Sequence, residues 1–467
     1  MFLSEASYPE NRIAVTTDNG MFYSYADINN FRETIQKHIP FRCLVFSLCG
    51  NTTGSLFGYV SFISNSIVPV MLGAGIESRF LEDLINTYHP VYIWLPNERV
   101  NEFTGYAVVY SAYEYSLVKL EEQNIFSLHP ELAILLTTSG STGSSKFVRI
   151  SYENLRSNVE TISAYLSIDE QERPVTTLPM WYSYGLSVIN CHIMKGATIL
   201  LTSKTTVEKD FWSFLKKEKA SSLAGVPYTF QILKKLKFSE MDLPSLKTLT
   251  LAGGSLAKDV TRYISEYAVI SGKRFFVMYG QTEATARMSY LPPEYAITKP
   301  GSIGLPVIGG AFSLIDDTGN ELRQPGQVGE LVYKGKNVSM GYSLHGQDLL
   351  KGNENNGILF TGDLGRTDED GFYYLTGRKN RDIKLYGNRV NLDETENLLA
   401  GIIPDCACIG MEDNMSVFIT DKSRLAEIRN YLSSKTGIHS SAFTIRHCDE
   451  IPKNGFGKTN YSRLENL

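Results

Sequence analysis

Short apolar segments alternate with helical patterns through the middle of this 467-residue chain. Four of these segments have the length and composition of buried strands: 197–202, 222–226, 248–251 and 275–279. The helical patterns between the last of them lie at roughly 208–219, 228–238 and 257–271. This alternation predicts parallel strands joined by crossover helices, in an α/β fold with doubly wound sheets.

Two of the predicted strands end in unusual residues. Ala252-Gly253-Gly254 follows one strand, and Tyr279-Gly280-Gln281-Thr282-Glu283 ends another. Ligands in such sheets bind beyond the carboxyl ends of the strands, which makes both segments candidates for a site. A carboxylate beside a triphosphate suits Mg²⁺, because this ion prefers one or two carboxylates together with phosphate oxygens. The structural alternative for the second segment is an aromatic core strand followed by a surface glutamate.

Charge and cysteine content restrict the class of protein. The net charge is −5, so no general attraction to nucleic acid is expected. Six cysteines without a C-x-x-C spacing argue for reduced thiols and against a zinc site. The N-terminal residues lack the basic and apolar regions of a signal peptide, and we therefore expect a cytoplasmic protein.

One apolar segment, at 55–76, has about the length of a membrane span. It contains Asn65, Pro69, four serines and three glycines, which are unfavourable in such a span. We interpret it as a buried helix at roughly 54–64 followed by a buried strand at roughly 67–72. The sequence thus predicts no membrane span.

The pattern of predicted strands, turns and helices changes near residues 301 and 380. From about 301 short strands and turns dominate, which predicts a small β-barrel-like subdomain at about 301–379. The remainder reads as a small α+β unit that could fold as its own domain. We therefore expect an N-terminal domain at 1–379 and a mobile C-terminal domain at 380–467.

A loop of small residues, at 137–146, lies between two predicted strands. Its backbone N–H groups, its hydroxyls and the ammonium of Lys146 can converge on one point, which suits a polyphosphate. The spacing is not that of the usual P-loop, because Ser145 stands where the second glycine belongs and no Ser or Thr follows Lys146. Considered alone, the loop is explained equally well as a flexible Ser/Gly hairpin.

Two further clusters carry charge next to glycine. One is Thr361-Gly362-Asp363, followed fifteen residues after Asp363 by Arg378. A carboxylate can accept hydrogen bonds from both hydroxyls of a ribose, and an arginine can add donors. The other is Lys458, which follows Gly457 near the C-terminus. Considered singly, a turn aspartate, a surface salt bridge and a mobile tail lysine explain these residues as well.

Together, and in this order, the motifs resemble the adenylate-forming superfamily, which includes acyl-CoA synthetases, stand-alone or peptide-synthetase adenylation domains, and luciferases. The resemblance extends from about Ser24 to Lys458. Besides the clusters above, it includes Gly329-Glu330-Leu331, the run from Gly377-Arg378 to Ile383-Lys384, and Arg389-Val390. It implies the adenylate-forming enzyme fold, with a large N-terminal domain and a small C-terminal domain that carries a catalytic lysine.

The resemblance also implies roles for individual residues. The residues that would bind ATP are Thr138, Ser139, Gly140, Ser141, Thr142, Gly143, Lys146, Gly253, Gly254, Tyr279, Gly280, Asp363 and Arg378. Among the catalytic residues, Thr282 would contact the α-phosphate and Glu283 would bind Mg²⁺. Lys458 would bridge the acid carboxylate and the α-phosphate.

Two positions depart from the pattern of the superfamily. The hinge between the domains falls on Asn380, where relatives often carry Asp or Lys. After the phosphate loop, Ser145-Lys146-Phe147 replaces the common Pro-Lys-Gly. The donors of the loop are retained, although the backbone of the loop could be held differently.

The acid-binding region implied by the resemblance includes Trp181, Tyr182 and Tyr184. No acidic residue occurs from 173 to 207, so a buried α-ammonium group would have no local counter-charge. We expect an AMP-forming ligase that activates a compact carboxylic acid with ATP. Its acceptor would be the thiol of CoA or of the phosphopantetheine arm of an acyl or peptidyl carrier protein.

Three alternatives stay open at this point. The first is a stand-alone amino-acid adenylation enzyme that loads a carrier protein. The second is a luciferase-like oxygenase, for which the sequence offers no positive sign. The third is a non-catalytic nucleotide-binding relative, and the joint presence of Glu283, Asp363, Arg378 and Lys458 argues against it.

Overall fold

Two large β-sheets organise most of the chain in the computed structural model, which describes residues 9, 11–120, 125–137, 146–386, 388–403, 405–411, 413–453 and 458–465. The first elements in chain order are β1 (Ile13–Thr17), β2 (Phe22–Ser24), α1 (Tyr25–His38), β3 (Leu44–Cys49), α2 (Thr53–Ser64), β4 (Val68–Gly73), α3 (Ser78–Tyr88), β5 (Tyr92–Pro96), β6 (Ala107–Ala112), β7 (Tyr115–Lys119), β8 (Leu132–Thr137) and β9 (Phe147–Ser151). The next are α4 (Tyr152–Leu166), β10 (Pro174–Val175), α5 (Ser183–Met194), β11 (Ile199–Leu201), α6 (Lys209–Lys217), β12 (Ser222–Gly225), α7 (Pro227–Lys235), β13 (Thr248–Leu251), α8 (Lys258–Ile270) and β14 (Arg274–Tyr279).

The elements that follow β14 are mostly strands. They are β15 (Ser289–Leu291), β16 (Ser302–Pro306), β17 (Ala311–Ile315), β18 (Glu321–Leu322), β19 (Gly329–Lys334), β20 (Gly341–Ser343), β21 (Ile358–Thr367) and β22 (Tyr373–Arg378). The last are β23 (Asp382–Leu385), β24 (Asn388–Asn391), α9 (Leu392–Leu399), β25 (Cys406–Met411), β26 (Asn414–Ile419), α10 (Leu425–Thr436), β27 (Phe443–His447) and α11 (Tyr461–Leu464).

Each large sheet has a parallel centre. The eight-stranded sheet has the order β20-β9-β8-β4-β3-β5-β7-β6, in which β5, β3, β4 and β8 are parallel. In the fourteen-stranded sheet β1, β11, β10, β12, β13 and β14 form a parallel block. Strands β15 to β19, β21 and β22 continue this sheet in antiparallel pairs. The strands predicted to form the β-rich subdomain are thus joined to the parallel block through β15 and β16.

Helices cover both faces of the sheets, which confirms the predicted doubly wound α/β architecture. Apolar residues of α1, α2, α4 and α5 share one core with strands of both sheets. Helices α6, α7 and α8 pack against the other face of β10 to β14, in a second core. Helix α3 packs in a third core against the eight-stranded sheet. The sheets are therefore held together by the helical layer between them.

Helix α4 shows how local sequence sets an element and a contact at once. The Ser151 hydroxyl accepts a hydrogen bond from the Asn154 N–H at 3.1 Å, and the Asn154 side chain accepts from the Ser151 N–H at 2.9 Å. This reciprocal cap satisfies two backbone donors at the start of the helix. The Asn154 amide also donates to the carbonyls of Lys336 and Val338, and so ties α4 to the segment before β20.

The segment with membrane-spanning length forms α2 and β4, both buried in the core. Among the residues described, no helix is long and apolar enough to cross a membrane.

The elements after residue 381 pack around a core of their own. Strands β25, β26 and β27 form a three-stranded sheet, and β23 and β24 form a separate hairpin. Helices α9 and α10 cover the small sheet, with Leu399, Val417 and Ile428 buried between them. A boundary at 380 and a mobile C-terminal domain stay predictions.

A buried arginine on β9 connects the eight-stranded sheet to a distant segment. The Arg149 side chain is fully buried and donates to the carbonyls of Tyr342, Met340 and Gly352 at 3.0, 3.1 and 3.2 Å. It also forms an ion pair with the half-exposed Glu354 at 2.5 Å. One guanidinium therefore holds both ends of the segment 340–354 against β9, because it supplies several donors in a rigid fork.

Replacing this arginine tests how much the fold depends on the contact. We expect Arg149→Met to lower the free energy of unfolding by about 3–5 kcal/mol, because it leaves buried carbonyls without donors. Urea denaturation followed by circular dichroism measures the change. Arg323→Met is the matched control, since Arg323 pairs with Glu321 on the surface and should change stability by less than about 0.5 kcal/mol. Equal midpoints for the two variants would contradict the prediction.

Candidate functional site

The carboxyl ends of β12, β13 and β14 lie side by side at one edge of the fourteen-stranded sheet. Gly253, with Gly254 after it, follows β13, and its φ of +91° lies in the left-handed region. A Cβ atom at Gly253 would lie 2.8 Å from the Tyr182 hydroxyl oxygen. A Cβ atom at Gly280, after β14, would lie 1.7 Å from the Ala286 carbonyl oxygen. Only glycine fits at these two positions, and this leaves exposed backbone at the sheet edge.

Asp363 is the buried carboxylate of the site. It is 4% exposed and accepts hydrogen bonds from the Tyr279 hydroxyl and, at 2.8 Å, from the Gln281 amide. Arg378 lies opposite Asp363 in the β21–β22 pair, and its Nε donates to the carboxylate at 3.0 Å. Burial and the charge of Asp363 raise the pKa of Tyr279 well above its usual value. The Tyr279 hydroxyl therefore remains a donor.

Thr282 and Glu283 begin the turn after β14. The Thr282 hydroxyl lies 3.2 Å from that of Ser183, the first residue of α5. Glu283 is half-buried, and its Oε1 accepts a hydrogen bond from the Tyr342 hydroxyl at 2.8 Å. The turn thus presents one hydroxyl and one oriented carboxylate beside the glycine-lined edge.

Lys146 lies just before β9 and, through Tyr342, is close to Glu283. Its ammonium lies 3.3 Å from the centre of the Tyr342 ring, in a cation–π contact. The other residues predicted for the phosphate loop lie outside the described part of the chain: Thr138, Ser139, Gly140, Ser141, Thr142 and Gly143. The strands predicted on either side of the loop are β8 and β9, and the structure pairs them antiparallel.

Lys458 reaches the site from the C-terminal elements. Burial and the nearby Arg378 lower its pKa to about 8, and the charges of Asp363 and Glu283 act in the opposite direction. The structure therefore brings Lys458 to the same place as the residues at the strand ends. The backbone of Asn380, the predicted hinge, lies in a short 3₁₀ turn over Lys379–Arg381.

The aromatic residues predicted for acid binding pack against different parts of the two sheets. Trp181 packs on Gly73, where a Cβ atom would lie 3.0 Å from the indole ring. Tyr182 is buried with its hydroxyl against Gly253, and Tyr184 is buried next to it. The Tyr184 hydroxyl lies 2.8 Å from both the carbonyl and the hydroxyl oxygen of Thr250. We refer to these three side chains together as the aromatic wall.

Arg287 contributes a positive charge at this wall. Its guanidinium is buried, lies 4.9 Å from the centre of the Tyr184 ring, and donates to the Tyr165 hydroxyl at 3.1 Å. Its Nε has no hydrogen-bond partner in the described part of the chain. Burial, and to a smaller extent the positive charge of Arg287, lower the pKa of His192 to about 4. The side chain that faces the aromatic wall is thus a cation.

Three residues at this site received no role in the sequence analysis. Gln281 lies inside a motif that the analysis used, so its position was a usable signal. Tyr342 and Arg287 offered none, because their partners Glu283 and Tyr184 are 59 and 103 residues away along the chain. Only the folded chain shows these contacts.

The donor set suits a hard divalent cation that arrives with phosphate. Glu283 offers a half-buried carboxylate with one oxygen engaged by Tyr342 and the other oriented by that bond. Mg²⁺ is usually held by one or two carboxylates, phosphate oxygens and water. Glu283 therefore fits the role of the protein ligand, with ATP as the source of the remaining oxygens.

Comparison with known proteins gives a consistent result. The model of the family described as AMP-binding enzyme matches residues 95–343. An oxalate–CoA ligase of Arabidopsis thaliana is 29% identical over 352 residues, which are 71% of this chain and 66% of that protein. A 2-succinylbenzoate–CoA ligase of Bacillus cereus is 29% identical over 377 residues, which are 77% of this chain and 75% of that protein.

Solved structures show the same fold. The o-succinylbenzoate CoA synthetase MenE of Bacillus subtilis, in complex with its acyl-adenylate intermediate, superposes with a TM-score of 0.80 at 21% identity. That match covers 100% of this chain and 98% of the synthetase. ATP-bound MatB of Rhodopseudomonas palustris has a TM-score of 0.79 at 19% identity, covering 99% of this chain and 97% of MatB.

Proposed function

Because the chain belongs to the family of AMP-binding enzymes, we propose that it is an AMP-forming ligase that joins a carboxylic acid to a thiol. The family match confirms the predicted membership of the adenylate-forming superfamily. The observation that supports the activity most strongly is the convergence of Glu283, Asp363, Arg378 and Lys458 at the ends of the parallel strands. Two curated relatives are named as CoA ligases.

In the first half-reaction, a carboxylate oxygen of the acid attacks the α-phosphorus of ATP. The bond to the pyrophosphate oxygen breaks, and an acyl-adenylate forms. Attacker and target are both anionic, so the site must offset developing negative charge. Lys458 supplies one positive charge and the Thr282 hydroxyl one donor. When bound at Glu283, Mg²⁺ would neutralise charge on the phosphate oxygens.

The nucleoside would be held by residues that the fold has already positioned. The Asp363 carboxylate has about four acceptor sites, and Tyr279, Gln281 and Arg378 occupy three of them. One ribose hydroxyl can donate to the remaining acceptor site of Asp363, and Arg378 can donate to the ribose hydroxyl oxygens. Gly253 and Gly254 leave the backbone open for an adenine ring.

In the second half-reaction, a thiol attacks the carbonyl carbon of the acyl-adenylate, and AMP leaves with the electrons of the broken bond. We assign CoA as the thiol, because the named relatives are CoA ligases. A carrier-protein phosphopantetheine arm presents the same thiol on a protein and is the alternative acceptor.

The acid is assigned by charge. The aromatic wall of Trp181, Tyr182 and Tyr184 has the buried cation Arg287 behind it. An α-ammonium group at this wall would be desolvated close to a like charge, which disfavours it. We therefore assign a compact carboxylic acid without a free α-amino group. A second carboxylate would be compatible with the charge of Arg287.

An acid panel in an ATP–pyrophosphate exchange assay tests this assignment. It should contain matched pairs of an amino acid and its desamino analogue, together with short dicarboxylic and aromatic acids. We expect each desamino analogue to exchange at least about tenfold faster than its amino acid, because of the uncompensated ammonium. If a proteinogenic amino acid gives the strongest signal, the amino-acid-loading alternative is correct. Thioester formation with CoA, against a carrier protein, then identifies the acceptor.

A second test separates the two half-reactions. We expect Lys458→Ala to slow adenylate formation by a factor on the order of 10²–10³, because one charge partner of the transition state is lost. Transfer from a supplied acyl-adenylate to the thiol should stay nearly unchanged. Lys422→Ala, at an exposed lysine of the same C-terminal elements, is the control. Equal losses in both half-reactions would refute the role of Lys458.

The pH dependence of adenylation provides an independent test of the same residue. Lys458 acts as a cation, and its pKa is lowered to about 8 in the free protein, mainly by burial. We therefore expect kcat/KM for adenylate formation to fall as the pH rises through about 8. Lys458→Arg should move this fall to higher pH, because a guanidinium keeps its charge there. A profile that is flat to pH 10 in the unmodified enzyme would contradict the assignment.

A further inference from the structure

One tyrosine touches both the phosphate-loop lysine and the proposed metal carboxylate. The Tyr342 hydroxyl donates to Glu283 Oε1 at 2.8 Å. The ammonium of Lys146 lies 3.3 Å from the centre of the same ring. We call this arrangement the Lys146–Tyr342–Glu283 bridge. It joins two oppositely charged groups through one side chain, with the hydroxyl facing the anion and the ring facing the cation.

The backbone on the Lys146 side of the bridge is fixed by sheet pairing. Tyr342 lies on β20, where it pairs with Val148 of β9, two residues after Lys146. Arg149, next on β9, donates to the carbonyl of Tyr342 itself. The ring is therefore held at a set distance from the start of β9.

The backbone on the Glu283 side is fixed by hydrogen bonds. The N–H of Ser339 donates to the Glu283 carbonyl at 2.8 Å. The Asn337 side chain donates to the carbonyls of Ala284 and Arg287, each at 3.0 Å, and the Asn337 carbonyl accepts from Thr285. The segment that carries Tyr342 is thus tied to the turn that carries Glu283. The bridge joins two regions whose backbones already have a defined separation.

The hydroxyl of Tyr342 has the right character for a lasting donor. A phenol keeps its proton at neutral pH, so the Tyr342 hydroxyl can donate to the Glu283 carboxylate. The side chain is 37% exposed, which leaves the bridge open to the site and not sealed in the core.

From this geometry we propose that Tyr342 is a positioning residue that orients the Glu283 carboxylate for Mg²⁺ and seats Lys146 for the phosphates of ATP. The proposal rests on the proposed function, since it concerns the binding of Mg–ATP. A hydrogen bond to one carboxylate oxygen fixes the plane of the group and directs the other oxygen to the cation. Partners of this kind contribute about 10–100-fold to metal affinity or activity.

Two substitutions separate the two contacts of the ring. Tyr342→Phe removes the hydrogen bond to Glu283 and keeps the aromatic face for Lys146. Tyr342→Leu removes both contacts and keeps an apolar side chain. Tyr263→Phe is the matched control, because Tyr263 lies on helix α8, its hydroxyl donates to the Ser239 hydroxyl at 2.9 Å, and it has no part in the site.

The measurement is ATP binding by isothermal titration calorimetry on the full chain, without acid and over a range of Mg²⁺ concentrations. We expect Tyr342→Phe to bind ATP normally without Mg²⁺ but to need about tenfold more Mg²⁺ for half of the metal-dependent gain in affinity. Tyr342→Leu should show this defect and should also bind ATP about threefold more weakly without metal. Tyr263→Phe should match the unmodified protein.

Each outcome is informative. An unchanged Mg²⁺ requirement in Tyr342→Phe overturns the proposal, and so does an equal loss of ATP affinity with and without metal in that variant. If Tyr342→Leu unfolds, judged by its thermal midpoint, Tyr342→Phe still decides the question. Failure of the proposed function looks different, because the unmodified protein would then show no metal-dependent ATP binding.

Discussion

The buried guanidinium of Arg149, on strand β9, helps to set the position of Tyr342 in the proposed site. Arg149 satisfies backbone carbonyls of the segment 340–354 and so attaches β20 to β9. Together with the backbone pairing of β20 with β9, these contacts give the strand that carries Tyr342 a fixed position relative to Lys146. The interaction is strong because several donors of one rigid, fully buried group meet several acceptors at once. The geometry of the proposed site at the ends of the strands thus depends in part on the buried contacts of Arg149.

A second dependence concerns charge. Asp363 is buried, yet it stays surrounded by donors from β14, from the turn after it and from β22. Sheet pairing alone sets Arg378 opposite Asp363, so this ion pair needs no flexible side chain to find its partner. Lys458 lies near charges that already partly balance one another. Burial and the charge of Arg378 lower its pKa by more than Asp363 and Glu283 raise it. Such a lysine is ready to accept an anion.

Buried charge also shapes the proposed acid pocket. Tyrosine and tryptophan rings form its wall, and the Tyr184 hydroxyl is directed to Thr250. The cation behind the wall, Arg287, comes from the segment that also carries the proposed metal ligand. The proposed metal ligand Glu283 and the cation Arg287 therefore lie within five residues of each other on one short segment.

The sequence by itself determined the architecture and most of the proposed site. The alternation of apolar segments located β12, β13 and β14 to within one residue at either end, because buried parallel strands need continuous apolar runs. The requirement for glycine at position 280 is also local, because a side chain at this strand end would collide with the backbone of the following turn. The motifs also identified Glu283, Asp363 and Lys458 as candidates before their proximity was known.

Only the tertiary structure decided which charges face one another. The contact between Tyr342 and Glu283 arises because β20 leaves the strands that surround it in sequence and pairs with β9 in the other sheet. The placement of Arg287 behind Tyr184 arises because α5 packs over β13 and β14. Such contacts join residues far apart in the chain, and no local pattern encodes them. Strand pairing and helix packing, which act through space, therefore decided the details on which the proposed chemistry depends.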